Sequence, residues 1–356
     1  MALAELVGTI FPERTMERTM PWENYMWDYT PVELNNGIYF KREDYFAPLG
    51  YGGINGSKLR QLIYLVQDYV SKGNSQGVLT GASVLSPQIS MGALVAKHYG
   101  LPITVVMGAT KPETAVKHEN VAIANAVGAS FLYHSVGYNP ALQGAVSKYH
   151  ATPEFKDFYR LHYGITTDKY ASAQQVEAFH AVGAHQVKNI PAEVEEIYIT
   201  AGSCNSCVSV LYGIVKFTPA SLRKVVLLGI GPNRLEFIQE RLALIEQATG
   251  LSIRKYFKYD YKHNPQLALA HNSMSKGNVE VVNYDLHTTK YAGYQDKMPW
   301  FQDGIDYHPT YEGKALSYMN EPHYAEQFSS FHKRNNKSLF WVVGSQPTMA
   351  AMAGLL

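Results

Sequence analysis

Lys58 stands where a lysine amine could turn nucleophilic. It follows the glycine-rich stretch Tyr51-Gly-Gly-Ile-Asn-Gly-Ser57 and opens a segment of helical periodicity, with Leu59, Leu62, Ile63, Val66, Tyr69 and Val70 on one stripe. The amino end of a helix carries partial positive charge, which weakens an amine's hold on its proton. A lysine placed there could form a Schiff base with a carbonyl. The competing reading is an exposed lysine in a flexible loop. The glycine spacing is not that of a Walker A loop.

Four further turns carry groups that could bind or react. Thr80-Gly-Ala-Ser-Val-Leu-Ser-Pro-Gln88 offers Ser83, Ser86 and Gln88 as hydrogen-bonding groups. Ser86 also reads as a helix cap, with Pro87 at the first helical position. Thr200-Ala-Gly-Ser-Cys-Asn-Ser-Cys207 runs from a strand into Gly202, Ser203, Cys204, Asn205 and Ser206. Successive backbone N–H groups and small hydroxylic side chains at a helix start make a cup for a phosphate. Cys204 and Cys207 form a lone C-x-x-C without a second ligand pair nearby, so zinc is poorly supported and thiol redox work is a weaker option. His308-Pro-Thr-Tyr-Glu-Gly-Lys-Ala315 sets Tyr311 and Glu312 before a helix. Val343-Gly-Ser-Gln-Pro347 puts Ser345 in a glycine turn after a strand.

The elements around these turns alternate. Helical stretches are expected over 59–72, 88–99, 113–127, 140–149, 171–187, 205–215 and 234–249. Short apolar strands are expected over 78–80, 103–107, 130–133, 195–200 and 224–229. This pattern predicts an α/β fold with two open, mainly parallel twisted sheets flanked by helices. The chain has 356 residues, enough for two domains. Residues 1–74 and 169–356 are expected to form the larger and 75–168 the smaller, inserted one. Residues 251–310 lack clear alternation and read as irregular surface structure. The first 30 residues, rich in Met, Trp and Tyr, read as a packing segment.

Composition narrows the classes. With 46% hydrophobic and 17% charged residues and a formal net charge of +1, the chain is globular and carries no overall nucleic-acid footprint. No apolar run is long enough to span a membrane, and no secretion signal is evident. Two cysteines build no disulfide framework, which fits the cytoplasm.

The five turns, in this order, resemble the fold type II (tryptophan synthase beta-like) pyridoxal-phosphate enzymes. The similarity is to the branch of 1-aminocyclopropane-1-carboxylate deaminase and D-cysteine desulfhydrase. Lys41-Arg-Glu-Asp44 with Ser57-Lys58 and Arg60–Val66 resembles that family's Schiff-base segment, and Tyr311-Glu-Gly-Lys-Ala315 is similar to the deaminase motif near the C-terminus. The resemblance implies pyridoxal 5'-phosphate held between two domains of a homodimer. It implies that Lys58 holds the cofactor and shuttles a proton at the substrate Cα. It puts the cofactor phosphate on Gly202, Ser203, Cys204, Asn205 and Ser206, with Ser345 also at the cofactor. Glu312 would pair with the pyridine nitrogen. Ser86, Gln88 and Tyr311 would face the substrate, with Ser86 and Tyr311 also catalytic. Two positions depart from the pattern: Pro87 where the branch has Asn, and Cys204-Asn205-Ser206 where Thr and Gly are common.

The resemblance implies a lyase or deaminase acting on a small amino acid. An alternative comes from related enzymes of bacteriophage pathways that build amino-substituted thymines, in the host cytoplasm: decarboxylation of an amino acid attached to thymine in DNA. Arg254-Lys-Tyr-Phe-Lys-Tyr-Asp-Tyr-Lys-His263 interleaves basic and aromatic residues as a single-strand-binding surface would, and His332–Lys337 adds basic charge. The plainer reading of both is a solvated face with half-buried tyrosines. A third possibility is a PLP-fold binding protein without turnover.

Overall fold

The computed structural model describes residues 26–49, 54–135, 137–231, 234–261, 277, 279–291, 293 and 296–349. The expected N-terminal packing segment, up to residue 25, lies outside the described residues. So do the glycines of the loop before Ile54. Thirteen strands are described in chain order: β1 Val32–Asn35, β2 Ile38–Arg42, β3 Val78–Gly81, β4 Ile103–Gly108, β5 Ser130–His134, β6 Tyr159–Leu161, β7 Glu196–Ala201, β8 Lys224–Gly229, β9 Phe257–Tyr261, β10 Val279–Asp285, β11 Trp300–Gln302, β12 Ile305–Tyr307 and β13 Ser338–Val342. They fall in two compact units, one built on Ala47–Lys169 and one on Trp27–Phe46 and Tyr170–Ser345.

The first unit holds a four-stranded sheet in the order β5-β4-β3-β6, parallel throughout. Its strands are short apolar runs: Val78, Leu79, Val105 and Val106 are fully or nearly fully buried, as expected for parallel strands covered on both faces. The helix Ser57–Ser71 packs on the helix Pro87–His98 in this unit. The apolar stripe of Ser57–Ser71 (Leu59, Leu62, Ile63, Val66) is buried.

The second unit holds a seven-stranded sheet in the order β1-β2-β13-β7-β8-β10-β9. Only the β1–β2 pair is antiparallel. Alternate residues of its central strands enter different cores. Ile197, Ile199, Val225 and Leu227 join one cluster, and Tyr198, Val226 and Leu228 join the other. In both units the parallel strands end on one edge, where open α/β sheets gather their ligand-binding loops.

Three expectations change. The helix expected over 113–127 is two pieces, Pro112–Ala115 and Glu119–Ala126, divided at an extended His118. Residues 159–161, where no element is expected, form β6, which pairs with β3. The described residues of 251–310 are not all irregular: β9 and β10 complete the large sheet, and β11 and β12 form a two-stranded one. The crossover from β9 to β10, mostly outside the described residues, breaks the alternation in sequence.

The basic-aromatic tract is also corrected. Its described part contains β9, whose two-residue period turns Phe257, Tyr259 and Tyr261 inward and Lys258 outward. These rings belong to the apolar core and are not a surface on which bases could stack. Arg254 Nε is held by Glu246 Oε2 at 2.6 Å. Burial pushes the Tyr259 phenol up to about 12. Replacing Tyr259 by Ala is therefore expected to lower unfolding stability by about 3 kcal/mol, read by urea denaturation; an unchanged midpoint would return the ring to the surface.

Candidate active site

In the first unit, Lys58 is the second residue of the helix Ser57–Ser71. Gly56 caps that helix with φ +96°, a left-handed conformation suited to glycine. No acidic residue sits in its first turn, so no neighbour there opposes the helix's positive end. Lys58 is half-buried between the buried Ser57 and Leu59.

Ser86 is the N-cap of the helix Pro87–His98. Its Oγ accepts from the Gln88 backbone N–H at 3.3 Å, and Pro87 takes the first helical position. The hydroxyl proton is thereby left to point elsewhere. The turn is braced from below: Asn120 Nδ2 donates to the Leu85 carbonyl at 3.1 Å, and Ser90 Oγ donates to Asn120 Oδ1 at 2.7 Å.

Gln88 follows Ser86 by two residues and is buried. Its side chain is held at both ends by the fold. Nε2 donates to Thr80 Oγ1 at 2.8 Å and to the His162 carbonyl at 3.1 Å, while Oε1 accepts from the Gly164 N–H at 2.8 Å. At 2% exposure it is a bridge between the Ser86 turn and the loop after β6. Replacing Gln88 by Ala should remove these bonds and cost about 3 kcal/mol of stability, seen as a lowered melting temperature. A raised KM at unchanged melting temperature would restore a substrate-contact role.

In the second unit, β7 delivers Gly202, Ser203 and Cys204 to the helix Asn205–Phe217. Cys204 caps this helix in the left-handed region, φ +67°, and no side chain caps it. An uncapped amino end beside a left-handed residue turns successive N–H groups toward one point, the geometry of an anion nest. A Cβ on Gly202 would lie 3.4 Å from Cε1 of Tyr311, so the Tyr311 ring lies against the turn. The His308 ring packs on Tyr311, ring centroids 4.6 Å apart.

Glu312 opens the helix Glu312–Met319 and is fully buried; its Oε1 accepts from the Val343 N–H at 3.0 Å. The start of this helix favours a negative charge. Val343 begins the turn that carries Ser345. The fold of this unit thus brings the 202–205 turn to Tyr311, and the 343–345 turn to Glu312. Ser206 lies in the first turn of the helix after the cup.

Neither cysteine is set up for redox work. Both are buried, and the hydrogen bond with Cys204, together with burial, holds the Cys207 thiol well above its ordinary value. A thiol kept protonated is a poor nucleophile. These are small packing residues at the floor of the turn, with Cys207 Sγ donating to the Thr200 carbonyl.

No family model matches the chain. It is 38% identical over 381 aligned positions to the O-seryl-dTMP PLP-dependent decarboxylase of Salmonella phage ViI, covering 97% of this chain and 88% of that protein. Among solved structures it resembles an ACC deaminase homologue (TM-score 0.64, 18% identity, 92% of this chain and 94% of that one). It also resembles the processed threonine deaminase isoform 2 of Solanum lycopersicum (TM-score 0.52, 13% identity, 92% and 86%). The chain belongs to the fold type II pyridoxal-phosphate enzymes. It is a PLP-dependent enzyme, as expected from the five turns.

The residues present fit this cofactor. An uncapped helix start with a left-handed cap suits a phosphate, and a buried carboxylate at a helix start suits a protonated pyridine nitrogen. Sequence reasoning passed over the loop after β6. His162 Nε2 lies 3.0 Å from Asp168 Oδ2 there, and the only available sequence signal was a histidine and an aspartate six residues apart. Among the described residues no helix is long and apolar enough to cross a membrane.

Proposed function

We propose that this enzyme removes the carboxylate from a seryl group O-linked to a thymidine nucleotide. The observation that carries this reading is 38% identity, over nearly the whole chain, to a decarboxylase named for that substrate. Deaminase-like folds at 18% and 13% identity speak to architecture alone. The reaction breaks the Cα–carboxylate bond and releases CO2. The electron pair stays at Cα until a proton replaces the lost group, and a primary amine remains.

Bound pyridoxal phosphate supplies the electron sink for that pair. The chain's own residues would do the rest. The 202–206 turn would anchor the phosphate through backbone N–H groups, with Ser345 on the opposing turn. Glu312 would keep the pyridine nitrogen protonated. Lys58 would hold the cofactor before substrate arrives and then deliver a proton to Cα. Ser86, its lone pair already occupied by the Gln88 N–H, can donate to the substrate carboxylate. Tyr311, against Gly202, would close the site over the substrate. An O-linked seryl group also has a leaving group at Cβ, so the Cα hydrogen must be spared before CO2 leaves, and Cα must be protonated promptly afterwards, if the Cβ group is to stay.

The test is incubation of the holoenzyme with a seryl-thymidine nucleotide, free and within DNA, with CO2 and products followed by mass spectrometry. CO2 with the corresponding amine is expected. Pyruvate, from elimination, or another 2-oxo acid without CO2 would return the enzyme to lyase or deaminase chemistry. Preference between the free nucleotide and DNA decides whether DNA is a partner, and light scattering tests the homodimer that the family leads one to expect.

A further inference from the structure

The loop after β6 is held more firmly than a connection needs to be. Gly164 and Ile165 both take left-handed backbone, φ +81° and +57°, and Ile165 is fully buried. A β-branched residue is disfavoured there and persists only where its surroundings fix it. The fixing contacts are visible. The His162 carbonyl accepts from the Ile165 N–H at 3.1 Å and from Gln88 Nε2 at 3.1 Å. Gly164 N–H is taken by Gln88 Oε1, and Thr80 Oγ1 donates to the Leu161 carbonyl at 3.0 Å. Since Gln88 is two residues from Ser86, the loop lies beside the Ser86 turn, on the carboxyl edge of its sheet.

The firmly held loop presents His162. Its side chain is 19% exposed, and Nε2 lies 3.0 Å from Asp168 Oδ2. A carboxylate only accepts, so the Nε2 proton points to Asp168 and Nδ1 of the neutral ring carries a lone pair. Among the described residues, no hydrogen bond to Nδ1 is seen. Burial holds the ring below its ordinary pKa, with the nearby Arg160 acting in the same direction.

We propose that His162 is a specificity residue of the decarboxylation site, positioned by Asp168 so that Nδ1 accepts a hydrogen bond from the imide N–H of the thymine base. This rests on the proposed function. A seryl-thymidine nucleotide carries a carboxylate, a phosphate, an amine and the imide N–H. An Nδ1 lone pair only accepts, so it has no bond to offer the carboxylate or the phosphate, which carry no proton. The amine is committed to the cofactor. The imide N–H and the sugar hydroxyl are the neutral donors left, and of these the imide N–H marks the base.

The experiment compares kcat/KM for a seryl-thymidine nucleotide and its N3-methyl analogue, which lacks that N–H. Wild-type holoenzyme should disfavour the analogue by about 10- to 100-fold. In His162→Ala the preference should shrink to within about twofold, the loss appearing in KM, with kcat and cofactor absorbance retained. His162→Gln, which keeps an acceptor, should restore part of the preference. Asp168→Ala, which releases the ring, should weaken it. If wild type accepts both substrates equally, the inference is overturned without reference to any variant. It is equally overturned if His162→Ala keeps the full preference. If wild type releases no CO2 from the unmethylated substrate, the proposed function falls and takes this inference with it.

Discussion

Lys58→Ala should abolish turnover and, with it, the visible absorbance of the protein-bound cofactor. The expectation follows from what the other buried lysines are doing. Lys41 is fully buried, but its Nζ donates to the Thr30 carbonyl at 2.8 Å and to Asn189 Oδ1 at 2.7 Å. Lys314, two residues after Glu312, has its Nζ on the carbonyls of Tyr291 and Gly293. Burial lowers its pKa, but its role is to tie residues 291–293 to the helix Glu312–Met319. Neither amine can leave its carbonyl partners without stranding a buried polar group, a loss of about 1–3 kcal/mol for each. Lys58 alone among these combines a helix start with partial exposure. The fall in kcat should be at least about 10^3-fold, as for removal of a covalent participant. Lys58→Arg, which keeps a cationic side chain but offers no primary amine to hold the cofactor, should fail equally. The measurements are the absorbance spectrum after supplying the cofactor and the rate of CO2 release. An intact visible band in Lys58→Ala would move the anchoring role to another lysine.

Much of this fold could be read from sequence because parallel strands buried on both faces are written as continuous apolar runs, as in Val225–Leu228. The turns were legible for a related reason. A strand that stops at glycine and small hydroxylic residues before a helix has few alternatives, and Thr200–Ser206 and Pro87–Gln88 behave as their residues require. What escaped was non-local. β6 is three residues long, and only its pairing with β3 makes it a strand. β10 inserts between β8 and β9, out of chain order. The tyrosines of β9 read as a binding surface because a two-residue period does not say which face is covered. Gln88 is the sharpest case. A glutamine at the start of a helix beside a proposed substrate wall suggests ligand contact, and its bonds to residues 162–164 depend on chain 74 positions away. The Glu312–Val343 hydrogen bond is similarly hidden: an exposed glutamate at a helix start is commonplace, and burial by the turn after β13 is what sets this one apart.

That burial makes Glu312→Gln the sharper test of the chemistry, because it separates the charge from the shape. Glutamine keeps an oxygen where Oε1 now accepts from the Val343 N–H, so the helix and the 343–345 turn should stay in place and the cofactor should remain bound. The negative charge is lost. If Glu312 is the partner of the pyridine nitrogen, as proposed, its neutral replacement would no longer hold the proton there, and the electron sink would be weaker. An electrostatic group aimed at charge developing in the transition state is worth about 10^2–10^3-fold in kcat, and a loss of that size is expected with KM changed little. Glu312→Ala should add a separate defect: the Val343 N–H, inside the fold, loses its acceptor, at about 1–3 kcal/mol of stability. Steady-state CO2 release and thermal unfolding of the two variants distinguish these effects. If Glu312→Gln decarboxylates as fast as wild type, the carboxylate serves only to hold the turn after β13, and the electron sink in this enzyme works without a protonated ring nitrogen.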